Sequence, residues 1–535
     1  MSLKNYFPVG YQPTPLQSKT IQQIESGFKN NNILILNAPT GSGKSFFAST
    51  LAESSRDITE SKRDSIDTYK AFNVDQHGQY TCIEETDTHH GAVALTITKA
   101  LQDQYSALFN CDILKGKSNY TSTIDRTMDV EVESAVIPRK ILHEHRIAGN
   151  CDYHNDRNKL LTGKFGVTNY KMYMQLPNHV KKREYLICDE ASELEDDIVS
   201  HNTCTIDYDI SKRCGINLPV LKTSEQLAVY SWLDDINNLL HDHRAYLQQQ
   251  LQKKSKWTPK LQSKYSYINR LLSTVKRCTE NYHNCEYIVE KNNTQVKLTP
   301  LHANTLTDQL FSCGEKILLM SATIIDHVNF AKSLGISRYK YIEIPSEFPP
   351  EKSPIYISSK YPLSRNTVDK FLPKIVDNVK EILEHHKHEK GVIHTHSHKI
   401  NQYVYETLQS DRLLYREPGV SNEDIINKHK HTDQPSVLMS PSLTHGVDLL
   451  DELARFQIIV KLPYLPFNDP RVKSIINSDP DWYENKMLNI LVQSCGRATR
   501  STDDYSTTYI LDGMIARVLP KCKHKLPNWY IQRFM

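Results

Sequence analysis

The chain has 535 residues, 24% of them charged and 39% hydrophobic, with a formal net charge of only +3. That length exceeds one ordinary core and implies several domains, and the near-neutral balance excludes a passive, strongly basic nucleic-acid coat. No apolar run nears the roughly 20 residues that span a bilayer, the opening Met1-Ser2-Leu3-Lys4-Asn5 lacks a signal-like stretch, and the eleven cysteines include no Cys-x-x-Cys pair. These features predict a cytoplasmic, non-secreted, multidomain chain with reduced thiols and no membrane partner.

In chain order, Ile33-Leu34-Ile35-Leu36 reads as a buried strand. It runs into Ala38-Pro39-Thr40-Gly41-Ser42-Gly43-Lys44-Ser45, with a helix start at Phe46. This is a phosphate-loop pattern in which Ala38 stands where a first glycine is often found. Gly41 and Gly43 let backbone N–H groups curl around phosphate oxygens, with Pro39, Thr40 and Ser42 in the same cradle. Lys44 carries charge to the β/γ-phosphates, and the Ser45 hydroxyl suits Mg²⁺. The competing reading is a chance glycine turn before a helix. A strand in front and Gly-Lys-Ser behind weigh against it.

Residues 52–91 are polar and acid-leaning, without sustained apolar periodicity, and read as a surface loop. Glu184–Cys188 is strand-like and ends in Asp189-Glu190. An acidic pair there suits a Mg²⁺ ligand (Asp189) and a group that polarises an attacking water (Glu190). Alone, it could equally be an acidic helix start.

Further on, Val229, Leu233, Ile236, Leu240, Leu247 and Leu251 recur at helical spacing after a candidate capping box at Thr223 and Gln226. Pro259 breaks the chain, and Leu261, Tyr265, Ile268, Leu272 and Val275 form a second stripe, so a helical hairpin is expected. Its return helix is basic, with Trp257, Tyr265 and Tyr267 interleaved. That composition suits a single nucleic-acid strand, against the reading of a solvated face with rings in the core seam, which is favoured for Tyr265. Strands expected at Pro354–Ser358, Gly391–Thr395, Ser436–Ser440, Gln457–Leu462 and Thr507–Leu511 alternate with helices such as Val368–His385, an α/β pattern. Near the end, Arg497 and Arg500 lie three apart and would share one helix face. From a second domain they could neutralise charge developing on a γ-phosphoryl group.

The order of these segments resembles superfamily 2 helicases, particularly the DinG/XPD-type (Rad3-like) branch. Beside the two nucleotide motifs, the resemblance is carried by Pro15-Leu16-Gln17, Ala94–Gln102, Leu114–Tyr120, Val167-Thr168-Asn169-Tyr170 and Leu318–Thr323. Later come Gly446-Val447-Asp448, Lys461-Leu462-Pro463-Tyr464 and Gln493–Arg500. The resemblance implies that Gln17 reads the adenine edge and that Asp448 lies at the nucleotide. It also implies that Gln493, Arg497 and Arg500 meet the γ-phosphate, Arg500 mainly as the arginine finger. It implies two RecA-like parallel-sheet domains, ATP and Mg²⁺ as cofactors, and single-stranded or tailed DNA as partner of a monomer moving 5′ to 3′.

The expected division is residues 1–113, 166–200 and 285–330 for the first motor half and 331–535 for the second. A small insertion (114–165) and a helical arch (201–284) interrupt the first half. The pattern is departed from at Ser192 and Tyr170, where this branch often carries histidines. Its four cluster cysteines are also missing: only Cys151 lies between Leu114 and Tyr170, with Cys111 just upstream. No iron–sulfur cluster is therefore predicted. A zinc substitute from His143, His145, Cys151 and His154 is the alternative, set against chance clustering in a chain with 23 histidines. Two other functions are carried forward: a nucleic-acid-stimulated ATPase that remodels without separating strands, and a catalytically silent ATP-binding scaffold.

Overall fold

A computed structural model describes residues 2–56, 72–74, 80–82, 90–137, 141–142, 144–145, 148–176, 181–253, 258–416, 420–441, 451–496 and 504–535. Its strands, in chain order, are β1 Ile33–Asn37, β2 Phe72–Val74, β3 Tyr80–Cys82, β4 Ala92–Thr96, β5 Asp112–Leu114, β6 Phe165–Asn169, β7 Arg183–Asp189, β8 Cys204–Asp207, β9 Tyr287–Lys291, β10 Gln295–Pro300, β11 Gly314–Ser321 and β12 Lys340–Glu343. The later part adds β13 Ile355–Ile357, β14 Gly391–His394, β15 Leu413–Leu414, β16 Val437–Ser440, β17 Phe456–Ile459 and β18 Thr507–Ile510.

Seven strands form one parallel sheet in the order β12-β1-β11-β7-β4-β6-β5. Its central strands are apolar on both faces because helices cover both. Leu34, Ile35, Val93, Leu186 and Leu319 are all fully buried. Six more strands form a second parallel sheet, β13-β18-β17-β14-β16-β15. The molecule is thus α/β with two parallel-sheet halves, and the five strands expected after residue 354 are all present, shorter than expected and with β17 starting one residue early at Phe456.

The helices that matter below are α1 Pro15–Asn30, α2 Lys44–Ser54, α3 Lys99–Leu108, α4 Val130–Val136, α5 Asp152–Thr162, α6 Leu194–Asn202, α7 Gln226–Lys253, α8 Pro259–Asn281, α9 Pro470–Ser478 and α10 Pro480–Cys495. Helices α7 and α8 are the expected hairpin. Val229, Leu233, Ile236, Leu240, Ile268 and Val275 meet in its seam with almost no exposure. The expected Thr223–Gln226 capping box does not form: Thr223 Oγ1 accepts from the Glu225 amide instead. The return helix starts cleanly because Pro259 needs no donor at its first turn and Thr258 caps it.

The sheets set limits that differ from the expected division at three places. Strand β12 pairs with β1, so the first sheet reaches past residue 330; its Lys-Tyr-Ile-Glu sequence reads poorly as a buried strand because it is an edge. Strands β9 and β10 pair with β8 in a separate antiparallel sheet, which ties residues 287–300 to the arch rather than to the motor sheet. Within residues 52–91, β2 and β3 pair antiparallel where only a loop was expected. Among the described residues, no helix is long and apolar enough to cross a membrane.

Ile35 lies fully buried at the centre of the first sheet. Ile35→Ala should destabilise that half by about 2–5 kcal/mol, read as a lowered urea midpoint at unchanged m-value.

Candidate active site

The first three elements of the site sit side by side because β1, β11 and β7 are neighbours in one parallel sheet. Asn37 is level with Ser321, and Met320 is level with Asp189. The residues that follow these strands therefore emerge together at their carboxyl ends. The Ala38 amide donates to the Ser321 carbonyl oxygen at 2.8 Å, joining the start of the phosphate loop to the end of β11.

The loop then turns through two left-handed residues, Gly41 at φ +83° and Gly43 at φ +90°. A side chain at Gly43 would be strained and would also strike the Gln17 amide. Gln17 itself caps α1: its Oε1 accepts from the Thr14 amide at 3.0 Å, and its Nε2 donates to the Ser42 carbonyl at 3.4 Å. Here, then, Gln17 braces the loop. The Ser42 hydroxyl is buried with no hydrogen-bond partner. Lys44, at the first position of α2, reaches across to Glu190, Nζ to Oε1 at 3.2 Å.

Asp189 ends β7 with 2% exposure. Burial raises its pKa to about 6, helped by the neighbouring Glu190 charge and opposed by Lys44 and by a hydrogen bond from Tyr105. The Tyr105 hydroxyl, from α3, donates to Asp189 Oδ2 at 3.0 Å, and the Tyr170 hydroxyl donates to the Asp189 carbonyl at 2.8 Å. Glu190 sits at φ +53°, a left-handed conformation uncommon for glutamate, which turns the chain sharply after the strand. Ser321 Oγ donates to Glu190 Oε2 at 3.3 Å and lies 3.0 Å from Ser192 Oγ.

The second half enters the cleft through α10. Gln493 Nε2 donates to Ser192 Oγ at 3.2 Å and to Glu193 Oε1 at 3.3 Å. Beyond the phosphate loop, Pro39 and Thr40 line a small cleft together with Gly496, Trp529 and Arg533. Buried Arg533 donates through Nη2 to the Cys495 carbonyl at 3.2 Å and through Nε to the Ser353 carbonyl at 2.7 Å, fixing the end of α10.

A second contact between the halves lies one turn beyond Ser192. Glu195 is 5% exposed and takes Arg471 at 2.9 Å, Lys486 at 3.1 Å and the Trp482 indole at 3.0 Å. Asp196 takes Lys486 at 2.8 Å.

Of the expected residues, Lys44 meets Glu190 beside Asp189, Gln493 reaches Ser192 and Glu193 just after that pair, and Gln17 touches the phosphate loop that carries Pro39, Thr40, Gly41, Ser42 and Gly43 and leads into Ser45. Asp448, Arg497 and Arg500 lie outside the described residues. Tyr105, Arg533 and the Glu195 cluster were not expected as site residues, and Ser321 was expected only as part of the Leu318–Thr323 segment, because each acts through a contact that no local pattern announces.

Comparisons with known proteins bear on the fold and on the second half of the chain. Residues 379–533 match the helicase C-terminal domain family. The chain is 25% identical over 153 residues to a regulator of telomere elongation helicase 1 homolog of Caenorhabditis elegans, covering 24% of this chain and 15% of that one. It is 26% identical over 157 residues to the ATP-dependent DNA helicase CHL1 of Candida albicans, covering 24% and 18%. The matched segment thus spans less than a fifth of those relatives' lengths. Among solved structures, an XPD helicase superimposes with a TM-score of 0.61 at 15% identity, over 97% of this chain and 99% of that one. An apo XPD gives 0.57 at 16%, over 95% and 99%. Two parallel-sheet halves with a phosphate loop and an acidic pair, and a helicase C-terminal domain match in the second half, make the chain similar to ATP-dependent helicases. Its likeness runs to CHL1 and the telomere elongation helicase homolog over one segment of sequence, and to XPD in fold.

The raised Asp189 pKa has a definite sign. The native state keeps a proton up to about pH 6 that the unfolded chain releases at lower pH, so the associated stability is present in acid and lost as pH rises through about 6. A divalent cation needs the ionised form. Mg²⁺-nucleotide affinity should therefore fall as pH drops through about 6, and Tyr105→Phe should move that midpoint upward by removing a donor to the carboxylate. Nucleotide titrations across pH on both proteins check this; an unmoved midpoint in Tyr105→Phe would count against the hydrogen bond's role.

Proposed function

We propose that this chain hydrolyses ATP between its two halves and uses the cycle to move along single-stranded DNA, 5′ to 3′. The single observation that carries the reading is the cleft itself. Lys44 pairs with Glu190 beside a buried Asp189, and Gln493 reaches the same acidic segment from the other half. An acidic pair beside a phosphate loop that is also reached from the other half suits hydrolysis better than a passive scaffold.

In this reading Lys44 exchanges Glu190 for the β/γ-phosphates when nucleotide binds, which leaves Glu190 able to accept a proton from the attacking water. Ser45 and Asp189 would hold Mg²⁺, whose charge would draw Asp189 back to its ionised form. Arg497 and Arg500 would meet the γ-phosphoryl group, Arg500 mainly as the finger, with Gln493 and Asp448 alongside and Gln17 towards the base. The Gln493–Ser192–Ser321–Glu190 chain of hydrogen bonds runs from the second half to the acidic pair, so Ser192 can carry the coupling given to a histidine elsewhere in the branch.

DNA as the track follows the printed activity of the CHL1 relative and the XPD-like fold; the polarity follows the branch alone. A second reading, an ATPase that remodels without parting strands, is favoured by one observation: residues 114–165 contain a single cysteine, so the insertion cannot hold a four-thiolate cluster.

The test is strand displacement on DNA and RNA duplexes with 5′ or 3′ tails, run beside DNA-stimulated ATP turnover. The proposal expects ATPase activity abolished by Lys44→Ala and displacement of 5′-tailed DNA only. ATP turnover without displacement would select the remodeller. Turnover unchanged in Lys44→Ala would remove the assignment altogether.

Ser321→Ala offers a finer measurement. It should retain nucleotide binding while lowering the stimulation of ATPase by single-stranded DNA, since the link from Gln493 to Glu190 is cut at its middle.

A further inference from the structure

Between the edge of the first sheet and the arch, three buried side chains of unlike chemistry converge. Glu133 of α4 has no exposed surface, and neither of its carboxylate oxygens has a hydrogen-bond partner. Cys151, at the start of α5, is 1% exposed and holds its Sγ 3.0 Å from Nδ1 of His154, itself 6% exposed. The ligand atoms of Glu133, Cys151 and His154 all lie within 4.8 Å of one another. A carboxylate withdrawn from water without a donor is strongly disfavoured unless a proton or a cation stands against it. Thiolate, imidazole and carboxylate are the three donor types that zinc takes in proteins.

We propose that Glu133, Cys151 and His154 bind one divalent cation of the zinc type. The set differs from the one expected from sequence. His145 turns its Nε2 to Thr123 Oγ1 at 2.8 Å, His143 lies outside the described residues, and Glu133 arrives from a separate helix. The fourth position of a tetrahedral ion is left to water.

The site's position gives it a consequence. Helix α4 belongs to the arch side: the Asn269 amide of α8 donates to Glu131 at 2.9 Å, and Gln252 of α7 donates to the Ala135 carbonyl at 3.3 Å. Helix α5 belongs to the motor side: buried Arg183 of β7 donates to the Leu160 carbonyl at 2.7 Å. An ion held by Glu133 on one side and Cys151 with His154 on the other clasps the arch to the sheet. A single ion with one thiolate does there what a four-thiolate cluster would need three further cysteines to do. The inference stands apart from the ATP cleft and would survive the loss of that reading.

The test uses the full chain. Purified protein should carry about one zinc per chain by elemental analysis. After chelation it should rebind Co²⁺ with the absorption of a thiolate-to-metal charge transfer, and zinc should raise its melting temperature. Glu133→Gln should weaken Co²⁺ binding by about tenfold or more. Cys151→Ser should abolish the charge-transfer band, while Cys111→Ser should leave it intact. If the chelated wild-type chain takes up neither Co²⁺ nor Zn²⁺ and its melting temperature does not move, the site is not a metal site, whatever the folding of the variants. A charge-transfer band that persists in Cys151→Ser, or moves with Cys111→Ser, would overturn the ligand set. So would iron with acid-labile sulfide in anaerobically purified protein.

Discussion

A parallel sheet ends its neighbouring strands at one level, and this site depends on that constraint. Strands β1, β11 and β7 lie side by side in register, so the phosphate loop, Ser321 and the Asp189–Glu190 pair emerge within hydrogen-bonding reach of each other. That register is what brings residues 38, 190 and 321 together. Once they are together, electrostatics does the rest. Two adjacent carboxylates, one buried, favour a cation strongly, and Lys44 supplies it to Glu190. The same crowding makes Lys44 exchangeable. A polyphosphate offers it more negative charge than one glutamate does, and a magnesium ion offers Asp189 more positive charge than one lysine does.

What was legible in the sequence was local. The phosphate loop announces itself through Gly41, Gly43 and Lys44 because left-handed backbone and a terminal amine have few substitutes there. The arch announces itself through a stripe of leucines and valines because a long hairpin must bury one face. Helix Val368–His385 was readable end to end for the same reason. Contacts closed by the tertiary fold were not legible. Tyr105 meets Asp189 across 84 positions, and Ser321 meets Glu190 across 131. Tyr105 is an ordinary helix residue with no spacing that marks it, and Ser321, though inside the recognisable Leu318–Thr323 segment, has no pattern that names Glu190 as its partner. Edge strand β12 was missed because an edge tolerates the polar residues that a central strand excludes. The placement of β9 and β10 was missed because antiparallel pairs flanking an arch look, in sequence, like more of the motor sheet.

The departures from the branch's pattern also look different once folded. Ser192 is a short residue where a longer ring is usual, yet it is not idle: it touches Ser321 and receives Gln493. Tyr170, the other substituted position, supports the backbone of Asp189 from beneath. Hydroxyl groups have taken over places where imidazoles stand elsewhere. A hydroxyl both donates and accepts but does not gain charge near neutral pH, so these contacts carry no protonation step of their own.

The Glu195 cluster bears on how the chain could be divided. Its acidic partners lie on α6 of the first half, and its basic and indole partners on α9 and α10 of the second. Cutting the chain between the halves would leave Arg471 and Lys486 without counter-ions beside an uncovered Trp482. It would also leave Glu195 stranded on the other fragment. Neither piece would then be a finished protein surface. A fragment matching only the helicase C-terminal domain is a unit of sequence comparison rather than a unit of folding, and its solubility would depend on the half it had lost.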